Sequence, residues 1–322
     1  MFDGASLLIT GGTGSLGNAL SKYLLENTGL RRLIIYSRDE LKQHEMRQRF
    51  GADKRMRFFI GNVRDLERMR RAFNGVDYVI HAAALKQVPA AEYNPFECIK
   101  TNVLGAQNVI EAALDCGVKR LVALSTDKAC NPINLYGATK LCSDKLFVAG
   151  NAYAGASQTR FAVVRYGNVS GSRGSVVPLF KHLAAEGGEV PITDARMTRF
   201  WITIENAVKL VMDSFEQMQG GEIFVPKIPS MRIIDLAEAL CPGQPIRSIG
   251  IRPGEKLHEA MIGEDDARSV IDMGERYAIL PEFEWYTPDM SRGTRVPEGF
   301  CYTSDANEKW LSVAELRRLA GL

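Results

Sequence analysis

Short apolar segments alternate with longer amphipathic segments through the first two-thirds of the chain. The apolar segments are nearly continuous in Leu, Ile, Val, Phe and Ala, which is typical of strands covered by helices on both sheet faces. This alternation predicts an α/β fold with a doubly wound parallel sheet. The predicted strands are Ser6–Thr10, Arg32–Ser37, Met56–Gly61, Tyr78–Ala82, Arg120–Ser125 and Phe161–Tyr166, with helices such as Leu16–Asn27, Leu66–Phe73 and Val103–Cys116 between them.

The pattern changes after Gly167, where glycine and proline become frequent, and one more strand is predicted at Glu222–Pro226. We interpret residues 1–168 as a Rossmann-type domain to which residues 203–229 return. Residues 169–202 and 230–322 are predicted to form a smaller α/β substrate-binding domain. Such a domain would cover the carboxyl ends of the strands, where open α/β sheets bind ligands.

Composition narrows the class of protein. The 40 basic and 38 acidic residues give a net charge of +2, so no general affinity for nucleic acid or anionic membranes is expected. No apolar run approaches the roughly 18–20 residues that span a bilayer, and no signal-peptide pattern is visible. We therefore expect a cytoplasmic protein. The six cysteines and four histidines show no metal-ligand spacing, so no metal site is predicted.

A glycine-rich turn follows the first predicted strand and precedes a predicted helix. Its GxxGxxG spacing differs from the GxGxxG fingerprint but serves the same chemistry, which is close backbone approach to a pyrophosphate at a helix N-terminus. The strand–turn–helix context favours dinucleotide binding over an ordinary turn. The predicted cofactor contacts here are Gly11, Thr13, Gly14, Ser15, Leu16 and Gly17.

The end of the second predicted strand indicates which dinucleotide is bound. NAD enzymes usually carry an acid there for the ribose hydroxyls, whereas a nearby arginine suits a 2′-phosphate. Ser37 and Arg38 occupy this place, and Lys42 lies one helical turn later. Asp39 is an acid one step away, but the pattern favours NADP.

Small and polar residues follow the third and fourth predicted strands. Their backbone can lie close to a cofactor, and His81 is expected to be packed rather than catalytic. The predicted contacts are Asn62, Val63, Ala82, Ala83 and Ala84.

Tyr136 and Lys140 are four residues apart, which places them on one helical face. A phenol with a pKa near 10 is a poor base at neutral pH, and an adjacent ammonium would favour the phenolate. Such a pair could take the proton from a sugar hydroxyl while hydride leaves the same carbon, with Lys140 also holding the nicotinamide ribose. The pair follows the fifth predicted strand, as does the segment Ser125-Thr126-Asp127-Lys128.

The glycine turn, the YxxxK pair and the chain length resemble the extended short-chain dehydrogenase/reductase family. Within it, the chain is similar to the UDP-N-acetylglucosamine 4,6-dehydratases, in particular the short inverting type that begins pseudaminic acid synthesis. The similarity covers essentially the whole chain. It is carried by Ser125–Ala129, Asn134–Lys140, Ala84–Pro89, Glu92–Pro95 and Arg252–Lys256.

The resemblance implies a mechanism. Tyr136 takes the proton from the hydroxyl at sugar carbon 4 while NADP+ accepts hydride, and Thr126 orients that hydroxyl. Lys128 is then a candidate base for carbon 5 if its environment leaves it neutral, and Asp127 is a candidate acid that expels the carbon 6 hydroxyl. Hydride returns to carbon 6, and reprotonation of carbon 5 on the opposite face inverts that centre.

The resemblance also implies a pocket for UDP-N-acetylglucosamine and a homo-oligomer. Asn168 follows the sixth strand, where the family contacts the diphosphate, and arginines of the smaller domain could clamp phosphate. The predicted substrate contacts are Lys86, Asn168, Arg173, Arg199, Arg252 and Glu255.

Three alternatives stay open at this point. A nucleotide-sugar 4-epimerase would use the same Tyr–Lys pair, but it would not need Asp127 and Lys128 for water loss. A retaining dehydratase would differ only in product stereochemistry. A dinucleotide-sensing regulator would bind cofactor without turnover. Asn62, where relatives often have Asp, and Cys130, where they often have Ala, depart from the family pattern without touching the proposed chemistry.

Overall fold

The computed structural model describes residues 1–155, 157–171 and 176–321. Its strands are β1 (Ser6–Thr10), β2 (Arg32–Ser37), β3 (Met56–Ile60), β4 (Tyr78–His81), β5 (Arg120–Leu124), β6 (Arg160–Val164), β7 (Asn168–Val169), β8 (Val190–Ile192), β9 (Thr198–Ile202), β10 (Ile223–Pro226), β11 (Ser230–Arg232), β12 (Ile246–Ser248), β13 (Ala260–Ile262), β14 (Val270–Asp272), β15 (Arg276–Ile279), β16 (Thr294–Arg295) and β17 (Tyr302–Thr303).

The α-helices lie mainly between consecutive strands of the first half. They are α1 (Ser15–Asn27), α2 (Glu40–Phe50), α3 (Leu66–Phe73), α4 (Val88–Tyr93), α5 (Pro95–Ile99), α6 (Gly105–Asp115), α7 (Leu135–Tyr153), α8 (Val176–Glu186), α9 (Ile204–Gln217), α10 (Ile233–Leu240) and α11 (Val313–Leu319). Within the described ranges, every helix is too short or too polar to cross a bilayer.

One large sheet organises the molecule, in the order β16-β14-β15-β10-β6-β5-β4-β1-β2-β3. The part of this sheet that consists of β10, β6, β5, β4, β1, β2 and β3 is parallel throughout. At the other edge, β15 pairs antiparallel with β10, and β14 pairs antiparallel with both β15 and β16. The predicted doubly wound parallel sheet is therefore confirmed. The chain order reverses between β1 and β4, and the carboxyl ends of strands at such a point form a ligand crevice.

The central strands are buried because helices cover both faces of the sheet. Leu8 packs with residues of α3 and α6 on one face, while Leu7 and Ile9 pack with residues of α1 and α9 on the other. The apolar run of β1 thus has no solvent-facing position, as the continuous pattern predicted.

A separate core joins α8, β8, α10 and α11, in which Phe180, Leu236 and Leu316 are buried. The small sheets β7-β9-β11 and β8-β12 lie in this part of the chain. The division into cofactor-binding and substrate-binding regions remains a prediction. Three strands from residues 230–322, namely β14, β15 and β16, join the large sheet.

The predicted helix over Val103–Cys116 begins differently from the prediction. Residues Lys100–Leu104 form a π-helical turn that leads directly into α6. Periodicity alone does not distinguish such a turn from an α-helix, although π-bulges are common at functional sites. Thr101 from this turn reaches the wall of the large cavity described below.

The first turn of α7 packs directly on the 3-10 turn Asp127–Ala129, which follows β5. Asn134 caps α7 by accepting from Gly137 N at 2.7 Å, and its Nδ2 donates to Gly254 O at 2.7 Å. A Cβ atom on Gly137 would lie 2.1 Å from Lys128 O. Glycine at 137 is therefore what allows the helix and the turn to touch.

We expect Gly137→Ala to lower the thermal unfolding midpoint by roughly 2–10 °C, because the new methyl group must push two backbone segments apart. Gly150→Ala in the same helix is the matched control, since its Cβ would meet only side-chain atoms at 3.3 Å and alanine favours helix by about 1 kcal/mol. Scanning calorimetry of both variants measures the difference. Equal midpoints would contradict the packing argument.

Candidate active site

A cavity of about 560 Å³ lies at the carboxyl ends of the parallel strands. All of the predicted cofactor and catalytic residues line it, from the glycine turn to Lys140. Lys86 and Asn168 line it as well. The structure thus brings together in one space residues that lie far apart in the chain.

The glycine turn is shaped for close approach. Gly11 has φ +65°, and a Cβ there would lie 2.8 Å from the Ala83 backbone. A Cβ on Gly17 would lie 2.3 Å from Gly12 O. Gly14 precedes the first residue of α1, and the helix start has neither a side-chain cap nor an acidic residue in its first turn. The open N–H groups and the helix dipole therefore suit an anion such as a pyrophosphate.

The end of β2 presents a cation to the same cavity. Asp39 caps α2 by accepting from Lys42 N at 3.0 Å, and it also pairs with Lys42 Nζ at 2.8 Å. These hydrogen bonds lower the pKa of the Asp39 carboxyl. Asp39 is thereby engaged within its own helix start, while the exposed Arg38 lies on the cavity wall.

His81 is buried at the end of β4 and has a structural partner. Thr10 Oγ1 lies 2.8 Å from His81 Nδ1 and accepts from Ala82 N and Ala83 N. Burial, with the charge of Lys140, lowers the pKa of His81 to about 3. The neutral ring thus accepts from Thr10, which holds the Ala82–Ala83 backbone beside the glycine turn.

Tyr136 and Lys140 lie one helical turn apart on α7, and both side chains reach the cavity. Burial raises the pKa of Tyr136 to about 12, which outweighs the lowering by Lys128 and by the hydrogen bond to Thr126. Burial also lowers the pKa of Lys140, while Asp144 opposes it. The ammonium of Lys128 lowers the pKa of Tyr136 in this arrangement, and the role expected of Lys140 stays a prediction.

Asp127 and Lys128 form an ion pair beside Tyr136, in which Asp127 is buried and Lys128 is partly exposed. Asp127 Oδ1 accepts from Thr126 Oγ1 at 2.9 Å and from Lys128 Nζ at 3.0 Å. Asp127 is 1% exposed, and its Oδ2 has no hydrogen-bond partner among the described residues. Buried carboxylate oxygens are rarely left unsatisfied, so Oδ2 is available to a ligand in the cavity.

Lys128 would act as a base only if its environment left it neutral, and the substrate-free arrangement favours the charged form instead. Burial alone would lower the pKa of Lys128, but the carboxylates of Asp127 and Glu259 raise it above its ordinary value. Lys128 is therefore an ammonium in the substrate-free chain.

Glu259 is a part of this site that sequence reasoning missed. Its Oε1 lies 3.3 Å from Lys128 Nζ, although the two residues are far apart in the chain. No local spacing relates Glu259 to the Asp–Lys pair, and only the fold brings the segment before β13 to the turn after β5. Its sole sequence signal was that it closely follows the family-like stretch Arg252–Lys256.

A second missed network lies behind the catalytic helix. Asp144, two turns beyond Tyr136, accepts from Ser125 Oγ at 2.7 Å and from Arg165 Nη2 at 3.3 Å. Arg165 Nη1 also donates to Met261 O at 3.0 Å. These buried bonds tie α7, the ends of β5 and β6, and β13 together.

The predicted substrate residues separate into two groups. Asn168 lies on β7, and its buried Oδ1 has no partner among the described residues. Lys86 is exposed overall, but partial desolvation of its ammonium lowers the pKa of Lys86. Both line the cavity, whereas Arg199, Arg252 and Glu255 do not. Arg173 lies outside the described residues.

Arg199 is engaged inside the protein. It donates to Thr198 O at 2.6 Å, Leu257 O at 3.1 Å and Lys256 O at 3.0 Å. Arg252 pairs with Glu255 at the surface. Their predicted contacts with a nucleotide stay predictions, and in this arrangement Arg199 holds the segment that leads to Glu259.

The Rossmann-type sheet, the glycine turn and the Tyr–Lys helix together define an extended short-chain dehydrogenase/reductase. Residues 7–281 match the family described as "Polysaccharide biosynthesis protein", and the chain belongs to this family. It is 59% identical to a UDP-N-acetylglucosamine 4,6-dehydratase (inverting) of Campylobacter jejuni, over 98% of this chain and 97% of that protein. The resemblance inferred from the motifs is therefore confirmed.

The chain is also similar to a 4-epimerase and to a solved structure. A UDP-glucose 4-epimerase of Rickettsia typhi is 46% identical, over 87% of this chain and 84% of that protein. The X-ray structure of Pen from Bacillus thuringiensis superposes with a TM-score of 0.91 at 36% identity, covering 99% of this chain and 98% of the other.

Proposed function

We propose that the chain is an NADP-dependent, 5-inverting UDP-N-acetylglucosamine 4,6-dehydratase. The product would be UDP-2-acetamido-2,6-dideoxy-β-L-arabino-hex-4-ulose. The observation that carries the proposal is the Asp127–Lys128 pair, which lines one cavity with Tyr136 and Lys140 and in which Asp127 Oδ2 has no hydrogen-bond partner among the described residues. A redox pair beside an acid–base pair is what combined oxidation and water loss require.

The cavity fits a dinucleotide, and its cationic edge favours NADP over NAD. The pyrophosphate would lie at the N-terminus of α1, and the adenosine would lie toward Asn62 and Val63. Arg38 would contact the 2′-phosphate, because a guanidinium binds phosphate through paired hydrogen bonds. Asp39 is already bound to Lys42, which removes the acid that a ribose diol would need.

Bound NADP+ would supply the hydride acceptor at carbon 4 and the donor at carbon 6. Tyr136 takes the proton of the carbon 4 hydroxyl, and Thr126 orients that hydroxyl. The Tyr136 pKa of about 12 in the free chain means that this proton transfer depends on charge brought by the ligands as well as on Lys128. Lys140 holds the nicotinamide ribose.

Asp127 and Lys128 carry the elimination. The ketone at carbon 4 acidifies the carbon 5 hydrogen, one group accepts that proton, and the other protonates the departing carbon 6 hydroxyl. The 3.0 Å bond between Lys128 Nζ and Asp127 Oδ1 lets one proton move between the two groups. That transfer converts the ammonium–carboxylate pair into an amine base and a carboxylic acid.

The wider biological role follows from the similarity to inverting dehydratases. We assign the chain to the first step of pseudaminic acid synthesis, for glycosylation of surface structures or flagellin, in the cytoplasm and as a homo-oligomer. A 4-epimerase is the second candidate, because relatives 46% identical carry that name. A 4-epimerase loses no water, so the Asp127–Lys128 pair would have no acid–base step to catalyse.

Arg38→Ala should weaken NADP+ binding by roughly 10–100-fold, because a charge-assisted hydrogen bond contributes about 1.5–3 kcal/mol. NAD+ binding should stay unchanged, since it lacks the 2′-phosphate. Titration calorimetry with both dinucleotides measures the ratio, and the exposed Arg71 on α3, as Arg71→Ala, is the control. Equal losses for NAD+ and NADP+ would refute the assignment of Arg38.

Incubation with UDP-N-acetylglucosamine in deuterated water, followed by proton NMR, tests the function. We expect a methyl signal at carbon 6, deuterium at carbon 5 and an L-arabino ring pattern. A methyl signal with a D-xylo ring would reject inversion alone. A galacto-configured product with its carbon 6 hydroxyl intact would establish the epimerase and remove the role of Asp127 and Lys128.

A further inference from the structure

A third buried ionisable side chain lies behind the Asp127–Lys128 pair and has no role in the steps above. Glu259 is 2% exposed and does not line the cavity. Its Oε1 is nevertheless 3.3 Å from Lys128 Nζ. Glu259 therefore touches the cavity wall through its contact with Lys128.

The protein holds Glu259 rigidly at this point. Its N–H donates to Ser304 Oγ at 2.9 Å, and its carbonyl accepts from Ser304 N at 2.8 Å. Arg199 Nε lies 3.7 Å from the same Oε1. Glu259 Oε2 is buried and has no hydrogen-bond partner among the described residues, so the carboxylate is retained despite an unsatisfied atom.

Two buried carboxylates thus share one ammonium. Around Lys128, burial favours the neutral amine, Asp127 and Glu259 favour the ammonium, and Arg199 opposes them; Tyr136 faces it from α7. Burial, together with Asp127, raises the pKa of Glu259 above its ordinary value, and the cations Lys128, Arg199 and Lys256 oppose this rise and favour the carboxylate. A buried charge is costly unless paired, so removing one carboxylate should change the charge balance at Lys128.

We propose that Glu259 is a positioning residue of the dehydration site, which holds Lys128 Nζ beside Asp127 and sets the charge that Lys128 carries. The inference deepens the proposed function and rests on it. It predicts that a change at residue 259 alters the dehydration step more strongly than the oxidation at carbon 4, which senses the Lys128 charge only through Tyr136.

Glu259→Gln removes the charge with little change of size. Loss of an opposite charge this close should lower the pH at which Lys128 titrates by roughly 1–3 units. The pH profile of kcat for water loss should shift accordingly. Its alkaline limb moves to lower pH if Lys128 acts as the donor, and its acidic limb moves to lower pH if Lys128 acts as the acceptor. Either shift supports the proposal.

The exposed Glu264, as Glu264→Gln, is the isosteric control and should reproduce the wild-type profile. A Glu259→Gln enzyme with both limbs unmoved, and only KM or thermal stability changed, would overturn the proposal and leave Glu259 a packing residue.

A titration that needs no turnover separates this proposal from the proposed function. NMR of ¹³Cε-labelled lysines, with Lys128 assigned through Lys128→Arg, reports the Lys128 midpoint directly. A lower Lys128 midpoint in Glu259→Gln supports the proposal even if the wild-type enzyme does not convert UDP-N-acetylglucosamine. That second result would reject only the assigned substrate. An unchanged midpoint overturns the proposal whatever the activity.

Discussion

The site depends on the contact between the first turn of α7 and the turn Asp127–Ala129. The helix carries Tyr136 and Lys140, and the turn carries Asp127 and Lys128, so this contact sets the distance between the pair proposed for oxidation and the pair proposed for elimination. Gly137 permits it because a side chain there would collide with Lys128 O at 2.1 Å. The parallel sheet makes the contact possible, since β5 ends where the glycine turn and the ends of β4 and β6 also lie.

Burial is the second constraint, and it shapes the electrostatics of the site. Lys140, Asp127 and Asp144 are buried, and an unpaired charge in such a position costs several kcal/mol. The chain offsets this cost with short polar contacts, including Ser125 and Arg165 on Asp144 and Thr126 on Asp127. The low dielectric that makes each charge costly also makes the protonation of its neighbours sensitive to it.

Much of this arrangement could be predicted from the sequence, because local patterns encode it. The continuous apolar runs predicted the parallel strands, and the glycine turn and the Tyr136–Lys140 spacing identified residues that do line one cavity. Glu259, Asp144 and Arg165 were missed because their partners are distant in the chain and no spacing relates them. The environment of Lys128 could not be inferred from the sequence either, since one of its charged neighbours is Glu259, which only the tertiary fold supplies. Periodicity likewise could not reveal the π-helical turn at Lys100–Leu104.

The central claim is that one cavity holds two functionally separable residue pairs, with Tyr136 and Lys140 proposed for oxidation and Asp127 and Lys128 proposed for water loss. A single-turnover reaction of Asp127→Asn with UDP-N-acetylglucosamine and NADP+, followed by the absorbance of the reduced nicotinamide and by NMR of the sugar, tests it most directly. We expect reduced nicotinamide to accumulate while water loss slows by roughly 10²–10⁴-fold, the usual contribution of an acid–base group. Tyr136→Phe, as the contrasting variant, should form no reduced nicotinamide. If Asp127→Asn lost water at the wild-type rate, or lost oxidation and water loss equally, the separation of the two pairs would be contradicted.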